Sequence, residues 1–170
     1  MPKVSIIIPV YGVEKYIERC ARSLFEQTLD DIEYLFIDDC TPDKSVEILK
    51  RVLEEYPHRK SQVVIHRMEQ NSGQAKVREW GMRNATGEYV IHCDSDDWVD
   101  IHMYEEMYNK AIEEDADVVI SGFEITNGFS VISVCTTNYK SFNELCKGIL
   151  TGRISGALWN KLIRRSLLDY

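Results

Sequence analysis

Short runs of β-branched and aliphatic residues alternate, through the first half of the chain, with stretches whose apolar positions recur every three or four residues. The run over 3–8 (KVSIII) is nearly continuous, the pattern of a strand buried on both faces. Ile17, Cys20, Ala21, Leu24 and Phe25 then fall at i, i+3, i+4, i+7 and i+8, one stripe of a helix predicted over 13–28. A second strand is predicted over 33–38 (EYLFID), followed by a helix over 44–56 that Pro57 ends. A third strand over 62–66 leads to an Asn71-Ser72-Gly73 turn and a helix over 74–85. The fourth strand covers 88–93 (EYVIHC), and Ile101, Tyr104, Tyr108, Ala111 and Ile112 mark a further amphipathic helix before a fifth strand over 117–123. This order predicts an α/β fold: a mainly parallel, Rossmann-like central sheet with helices on both faces and right-handed crossovers.

Beyond residue 123 the regularity fades. The stretch over 124–137 reads as a hairpin around Asn127-Gly128. A helix is expected over 141–150, with Ser141 and Glu144 as a capping box, and 159–168 reads as a strand running into a helix. No repeat or linker interrupts the chain, so 1–170 is expected to be one domain.

Composition narrows the function classes. Of 170 residues, 44% are hydrophobic and 28% charged, which fits a globular domain and not a disordered chain. The longest apolar stretch falls far short of the ~20 residues a membrane helix needs, and from the strand-like opening no leader peptide is expected. Twenty basic against 28 acidic residues give a net charge of −8, which argues against a nucleic-acid surface. The five cysteines show no CxxC or Cys/His ligand spacing and read as reduced thiols. The four histidines show no such spacing either, so any metal would be held by oxygen.

In an open parallel sheet, ligands bind at the carboxyl ends of the strands. The residues there are Pro9, Val10 and Tyr11 after the first strand, Asp38 and Asp39 after the second, Asn71-Ser72-Gly73 beyond the third, and Asp94-Ser95-Asp96-Asp97 after the fourth. Carboxylates this close repel one another unless a cation sits among them. One helix cap at Asp97 or Asp100 would use one carboxylate and leave the others unexplained. A D-x-D at a strand end suits Mg²⁺ or Mn²⁺ when substrate phosphates complete the coordination. A buried Asp39 would suit an N–H donor such as a uracil imide, and Tyr11 could either stack on that base or fill the core.

Five segments together resemble the inverting family 2 glycosyltransferases of the GT-A fold: VSIIIPVY at 4–11, YIERCARSLFEQT at 16–28, FIDDCTPDKS at 36–45, NSGQAKVREWGMRNATGEYVIHCDSDDWV at 71–99, and ALWNKLIRRSLL at 157–168. The resemblance implies a nucleotide-binding part over 1–100 and an acceptor-side part over 101–170. It implies a nucleotide-diphosphate sugar donor, UDP-linked in the first instance, packed against Pro9, Val10 and Tyr11, with Asp39 on the base, Arg78 and Asp94 near the nucleotide and ribose, and Ser95 between the two acids. Asp96 would bind a divalent metal, Mn²⁺ or Mg²⁺. Trp98 matches a frequent aromatic of the family and reads equally as packing or contact, and Lys161, Arg164 and Arg165 read first as solvated surface, though one of them could face the leaving diphosphate. A glycan or lipid-linked acceptor at the cytoplasmic face of a membrane, in bacterial polysaccharide synthesis, is the implied setting.

Three departures matter. Cys40 stands where the family has glycine, so this turn must avoid positive φ or carry strain. Val77-Arg78-Glu79 stands for Ala-Arg-Asn, keeping the cation. The family's acidic general base falls beyond Tyr170, so the chain is expected to continue past it; the alternative is a nucleotide-sugar-binding domain inactive on its own. A phosphohydrolase that uses D-x-D on its first strand is a poorer match, because here the motif follows the fourth strand and Trp98 stands where that motif wants threonine or valine.

Overall fold

The computed structural model describes residues 1–126, 131–135, 142–152 and 156–168. Its elements are β1 (Val4–Val10), α1 (Ile17–Phe25), β2 (Ile32–Asp38), α2 (Ser45–Glu54), a 3-10 turn (Pro57–Gln62), β3 (Val63–Arg67), α3 (Gln74–Asn84), β4 (Tyr89–His92), α4 (Met103–Glu113), β5 (Val118–Ile120), β6 (Phe123–Thr126), β7 (Val131–Cys135), α5 (Phe142–Leu150) and β8 (Lys161–Arg164), closed by a 3-10 turn (Arg165–Leu167).

Six strands form one sheet in the order β3-β2-β1-β4-β8-β5. β1, β2, β3 and β4 are mutually parallel, whereas β8 runs antiparallel to both β4 and β5. The mainly parallel sheet is therefore the predicted one. The strand order turns at β1, whose neighbours are β2 on one side and β4 on the other. Outward connections on opposite sides open a crevice at the carboxyl ends of β1 and β4.

Both faces are covered. Ile6, Ile8 and Val10 of β1 pack with the stripes of α1, α2 and α4, while Ile7, Leu35, Ile37 and Val90 pack on the opposite face with Val77 of α3. This alternation is the two-residue period of the strands. All five residues of the predicted α1 stripe are buried. The helix begins at Ile17 and not at 13, because residues 13–16 turn before it: Tyr16 N–H and Ile17 N–H both donate to the Val13 carbonyl.

The fifth predicted strand is shorter than expected, its last residue, Phe123, already belonging to the first strand of the hairpin. β5 ends at Ile120, and β6 pairs with β7 in a separate two-stranded sheet. Ser121 and Gly122 break the run between them. The predicted hairpin is present as β6 and β7; its Asn127-Gly128 turn and the Ser141 cap lie outside the described residues. Among the described residues, no helix is long and apolar enough to cross a membrane.

Candidate functional site

Pro9, Val10, Tyr11, Asp39, Asn71, Gly73, Gln74, Asp94, Ser95 and Asp96 line a cleft of about 340 Å³ above the crevice. That is within the range of small-ligand sites, roughly 300–1,000 Å³. Every donor-site residue expected from the sequence is in it except Arg78, which reaches it through Asp94. A larger groove of about 530 Å³ runs along the outer face of α1 under Trp98, but it lies outside the strand ends and is open and shallow.

The neighbouring acids Asp38 and Asp39 are divided between two tasks. Asp38, the last residue of β2, is 2% exposed: one oxygen accepts from Thr41 N–H at 2.7 Å and the other from Arg67 Nη1 at 3.0 Å. It holds its own turn together. Asp39 faces the cleft at 4% exposure, and its oxygens accept from the backbone N–H groups of Ser72 (2.7 Å) and Gly73 (2.9 Å). A carboxylate has about four lone-pair sites, so Asp39 keeps two for a ligand donor. Gly73 enters α3 at φ +80, a conformation that glycine adopts without penalty. Cys40 holds φ +58, so this turn takes the strained alternative. Its thiol donates to the Met68 carbonyl, Sγ···O 3.1 Å.

The loop after β1 is fastened to the loop after β2. Gly12 N–H donates to Thr41 Oγ1 (2.9 Å), Val13 N–H to Ser45 Oγ (3.1 Å) and Glu14 N–H to Asp43 Oδ2 (3.0 Å). Desolvation raises the Asp43 carboxyl, but donation from Ser45, Thr41 and the backbone outweighs it and holds the group at about 2. Tyr11, carried on this fastened loop, is 52% exposed, which excludes the core alternative. Thr41, Asp43 and Ser45 are not among the residues that the motifs single out; the T-P-D-x-S pattern, a proline turn followed by an Asx acceptor, is the signal that marks them.

Beyond β4, Ser95 Oγ donates to the Pro9 carbonyl at 2.6 Å and ties the acidic turn to the end of β1. Arg78 Nη2 donates to Asp94 Oδ1 at 2.6 Å, both side chains being largely covered. Gln74 Nε2 lies 3.4 Å from the same oxygen. Gln74 was missed because an amide at a helix start carries no distinctive pattern. Asp96 is exposed. Burial first, then the charges of Asp96 and Asp94, raises the Asp97 carboxyl. Asp100, not Asp97, serves the start of α4, its Oδ1 accepting from His102 N–H at 2.8 Å. Trp98 lies under the Arg19 guanidinium, 3.1 Å from the ring centroid, so packing claims one of its faces.

The basic residues of β8 require a correction. Arg164 pairs in register with Tyr89, at the opposite end of β4 from Asp94, and its guanidinium is held by Asp115 and Asp117. Arg165 Nε donates to the Gly87 carbonyl at that same end. Because β8 runs antiparallel to β4, its later residues point away from the cleft, and neither arginine faces it. Lys161, at the start of β8, is on the cleft's side of the sheet but buried, donating to Ala157 O and Asn160 Oδ1.

Of the acidic turn, Asp96 and Asp97 are exposed, and of these two Asp96 lines the cleft, beside Asp94, which Arg78 engages. Among the described residues no group of three His, Cys, Asp or Glu side chains forms a cage. The donor set is all oxygen and fits a hard cation that draws most of its ligands from substrate phosphate and water.

Comparison with known proteins bears on the family and the fold. The family model described as Glycosyl transferase family 2 matches residues 5–169. EpsH of Bacillus subtilis (strain 168) is 35% identical over 99% of the chain and 48% of its own length. Glycosyltransferase GlyA of Streptococcus pneumoniae serotype 4 is 34% identical over 84% of the chain and 17% of its own. The chain thus spans about half of EpsH and less of GlyA. Among solved structures, residues 1–349 of TarS from S. aureus in complex with UDP-GlcNAc superpose with a TM-score of 0.77 at 26% identity, over 98% of this chain and 46% of that one. The fold is GT-A, and the chain belongs to glycosyl transferase family 2.

Proposed function

We propose that the protein transfers a sugar, with inversion at the anomeric carbon, from a nucleotide-diphosphate sugar to a hydroxyl of a glycan or lipid-linked acceptor during bacterial polysaccharide synthesis. The observation that carries the reading is the cleft at the β1/β4 crevice, floored by a buried carboxylate, Asp39, that retains free lone pairs. Complexes of TarS with UDP and with UDP-GlcNAc support uridine as the base.

On this reading Asp39 accepts the imide N–H of the base, and Tyr11 stacks on the base from the loop fastened by Thr41, Asp43 and Ser45. Pro9 and Val10 form the wall. Asp94, held by Arg78, accepts from the ribose hydroxyls, and Ser95 keeps the two strand ends together. Asp96 is the residue that would hold Mn²⁺ or Mg²⁺, which when bound neutralises charge on the diphosphate. The acceptor hydroxyl attacks from the face opposite the diphosphate. Residues 1–100 form the nucleotide-binding part of the domain and 101–170 its acceptor side, at the inner face of the membrane.

Calorimetric titration of UDP into the chain, with Mn²⁺ and then with EDTA, tests the site. Binding that the chelator removes, and that Asp96→Ala abolishes while circular dichroism stays unchanged, is the expected result. Absence of binding with UDP, GDP and dTDP alike, or unchanged metal dependence in Asp96→Ala, would refute the assignment.

A further inference from the structure

Two polar atoms beside the cleft are buried and without a hydrogen-bond partner, Nε of Arg78 and Nδ1 of His92, and the charge of Arg78 acts on the His92 ring. His92 is the last residue of β4, paired with Ile7 of β1, and is 3% exposed. It stands two residues before Asp94 and two after Val90, so all three share the face on which Val90 packs against Val77 of α3. Arg78 follows Val77 on that helix. Its Nη2 is spent on Asp94, which leaves the Nε–H further back along the side chain.

The chemistry of the two atoms is complementary. A guanidinium only donates, whereas a neutral imidazole presents one donor and one acceptor nitrogen. Burial, and after it the charge of Arg78, lowers the His92 ring to about 4, so it is neutral under ordinary conditions. With the ring proton on Nδ1, a water between the two atoms would accept from both and leave its own hydrogens unmatched in a buried place. With the proton on Nε2, Nδ1 becomes the acceptor for a water that takes the Arg78 Nε–H. Buried groups of this kind are costly to leave unmatched.

We propose that His92 is the positioning residue for Arg78: its Nδ1 accepts from one bridging water that in turn accepts from Arg78 Nε–H, and so fixes the guanidinium against Asp94. The proposal rests on the preceding reading only in taking Arg78 and Asp94 as part of the donor site. His92 itself touches no substrate. Its contribution is to tautomer and geometry, one step behind the cleft.

Two measurements test it. In the ligand-free protein, long-range ¹H–¹⁵N correlation of the histidine rings is expected to show His92 as the Nε2–H tautomer with Nδ1 shifted as a hydrogen-bond acceptor. Arg78→Met should move that Nδ1 signal toward an unbonded value. An Nδ1–H tautomer, an imidazolium, or a signal indifferent to Arg78→Met would overturn the proposal, whether or not the chain binds UDP. For the functional half, UDP is titrated in the presence of Mn²⁺. His92→Leu, which keeps bulk and loses the acceptor, should weaken binding about 10-fold, the size of one hydrogen bond to a charged group. His92→Asn, whose Oδ1 can stand in for Nδ1, should restore most of it. The pair His92→Leu/Arg78→Met should bind no worse than Arg78→Met alone. Equal losses in His92→Leu and His92→Asn, or additive losses in the pair, would mean that His92 only fills space. Failure of the wild-type chain to bind UDP would count against the donor site and leave the ring spectra to decide the link.

Discussion

Substituting Cys40 separates backbone strain from side-chain contact at the turn that carries Asp39. A left-handed conformation costs an L residue about 1–2 kcal/mol, and Cys40 holds φ +58. Glycine removes that cost but recovers about 0.5–1 kcal/mol less, because it has more freedom to lose on folding. Both Cys40→Gly and Cys40→Ala lose the thiol's bond to the Met68 carbonyl, and only the alanine keeps the strain. The difference between them therefore isolates the backbone, and glycine should exceed alanine by about 1 kcal/mol.

Urea unfolding at constant m-value is the appropriate assay, and the same difference should appear as about 2–4 °C in Tm for a domain of this size. UDP affinity is expected to be equal in the two variants, since neither alters the carboxylate of Asp39 or its bonds to Ser72 and Gly73. Alanine as stable as glycine would refute the strain argument and show that the turn tolerates φ +58 without cost.

Three further outcomes are expected. Asp39→Asn should lose UDP binding and about 1–3 kcal/mol of stability, because its NH₂ group would face a backbone N–H that now lacks an acceptor; calorimetry and urea unfolding read the two effects separately. Gly81→Ala should destabilise by about 1–3 kcal/mol despite better helix propensity, since the new Cβ would overlap Ile7 Cγ2 and come to 3.1 Å from Ile37 Cδ1, and urea unfolding measures it. Stability should fall as pH drops from 6.5 toward about 4, where unfolded His92 takes up a proton that the folded ring refuses. The loss is on the order of 3 kcal/mol, and His92→Leu should flatten that window in pH-dependent thermal melts.

What could be read from the sequence was whatever depends on local period. The α1 stripe is buried at every predicted position, and the strand ends deliver Tyr11, Asp39, Asp94 and Asp96 to one cleft because each follows a parallel strand. What could not be read depends on direction and on pairing across the chain. A basic strand looks the same whether it runs parallel or antiparallel, so Arg164 and Arg165 seemed able to reach a diphosphate until the register of β8 turned them to the far end. Asp38 and Asp39 are chemically identical in sequence. Only the approach of Thr41 and Arg67 to one, and of Ser72 and Gly73 to the other, assigns them separate work. Val118 to Phe123 is apolar enough for one strand, yet Ser121 and Gly122 split it between two sheets.

The charge balance of the cleft connects these assignments. Asp39, Asp94, Asp96 and Asp97 gather at the ends of β2 and β4, and the cation brought among them is Arg78, committed to Asp94. Burial, and after it the charges of Asp96 and Asp94, already raises the Asp97 carboxyl. A diphosphate entering this field meets repulsion that the built-in guanidinium does not offset, because its charge is spent within the protein. Donor binding on the proposed reading therefore needs positive charge from outside, and the exposed carboxylate of Asp96 is where it would be held. The same balance explains why Arg78 must be fixed. A guanidinium free to swing toward the phosphates would leave Asp94 charged and unpaired beside the ribose, so a link from His92 that restrains it keeps the two anions, Asp94 and diphosphate, served by different cations. Arg78→Lys tests this separation: the charge remains, but the side chain loses the Nε–H that His92 would hold, and UDP affinity should fall although the cleft's net charge is unchanged.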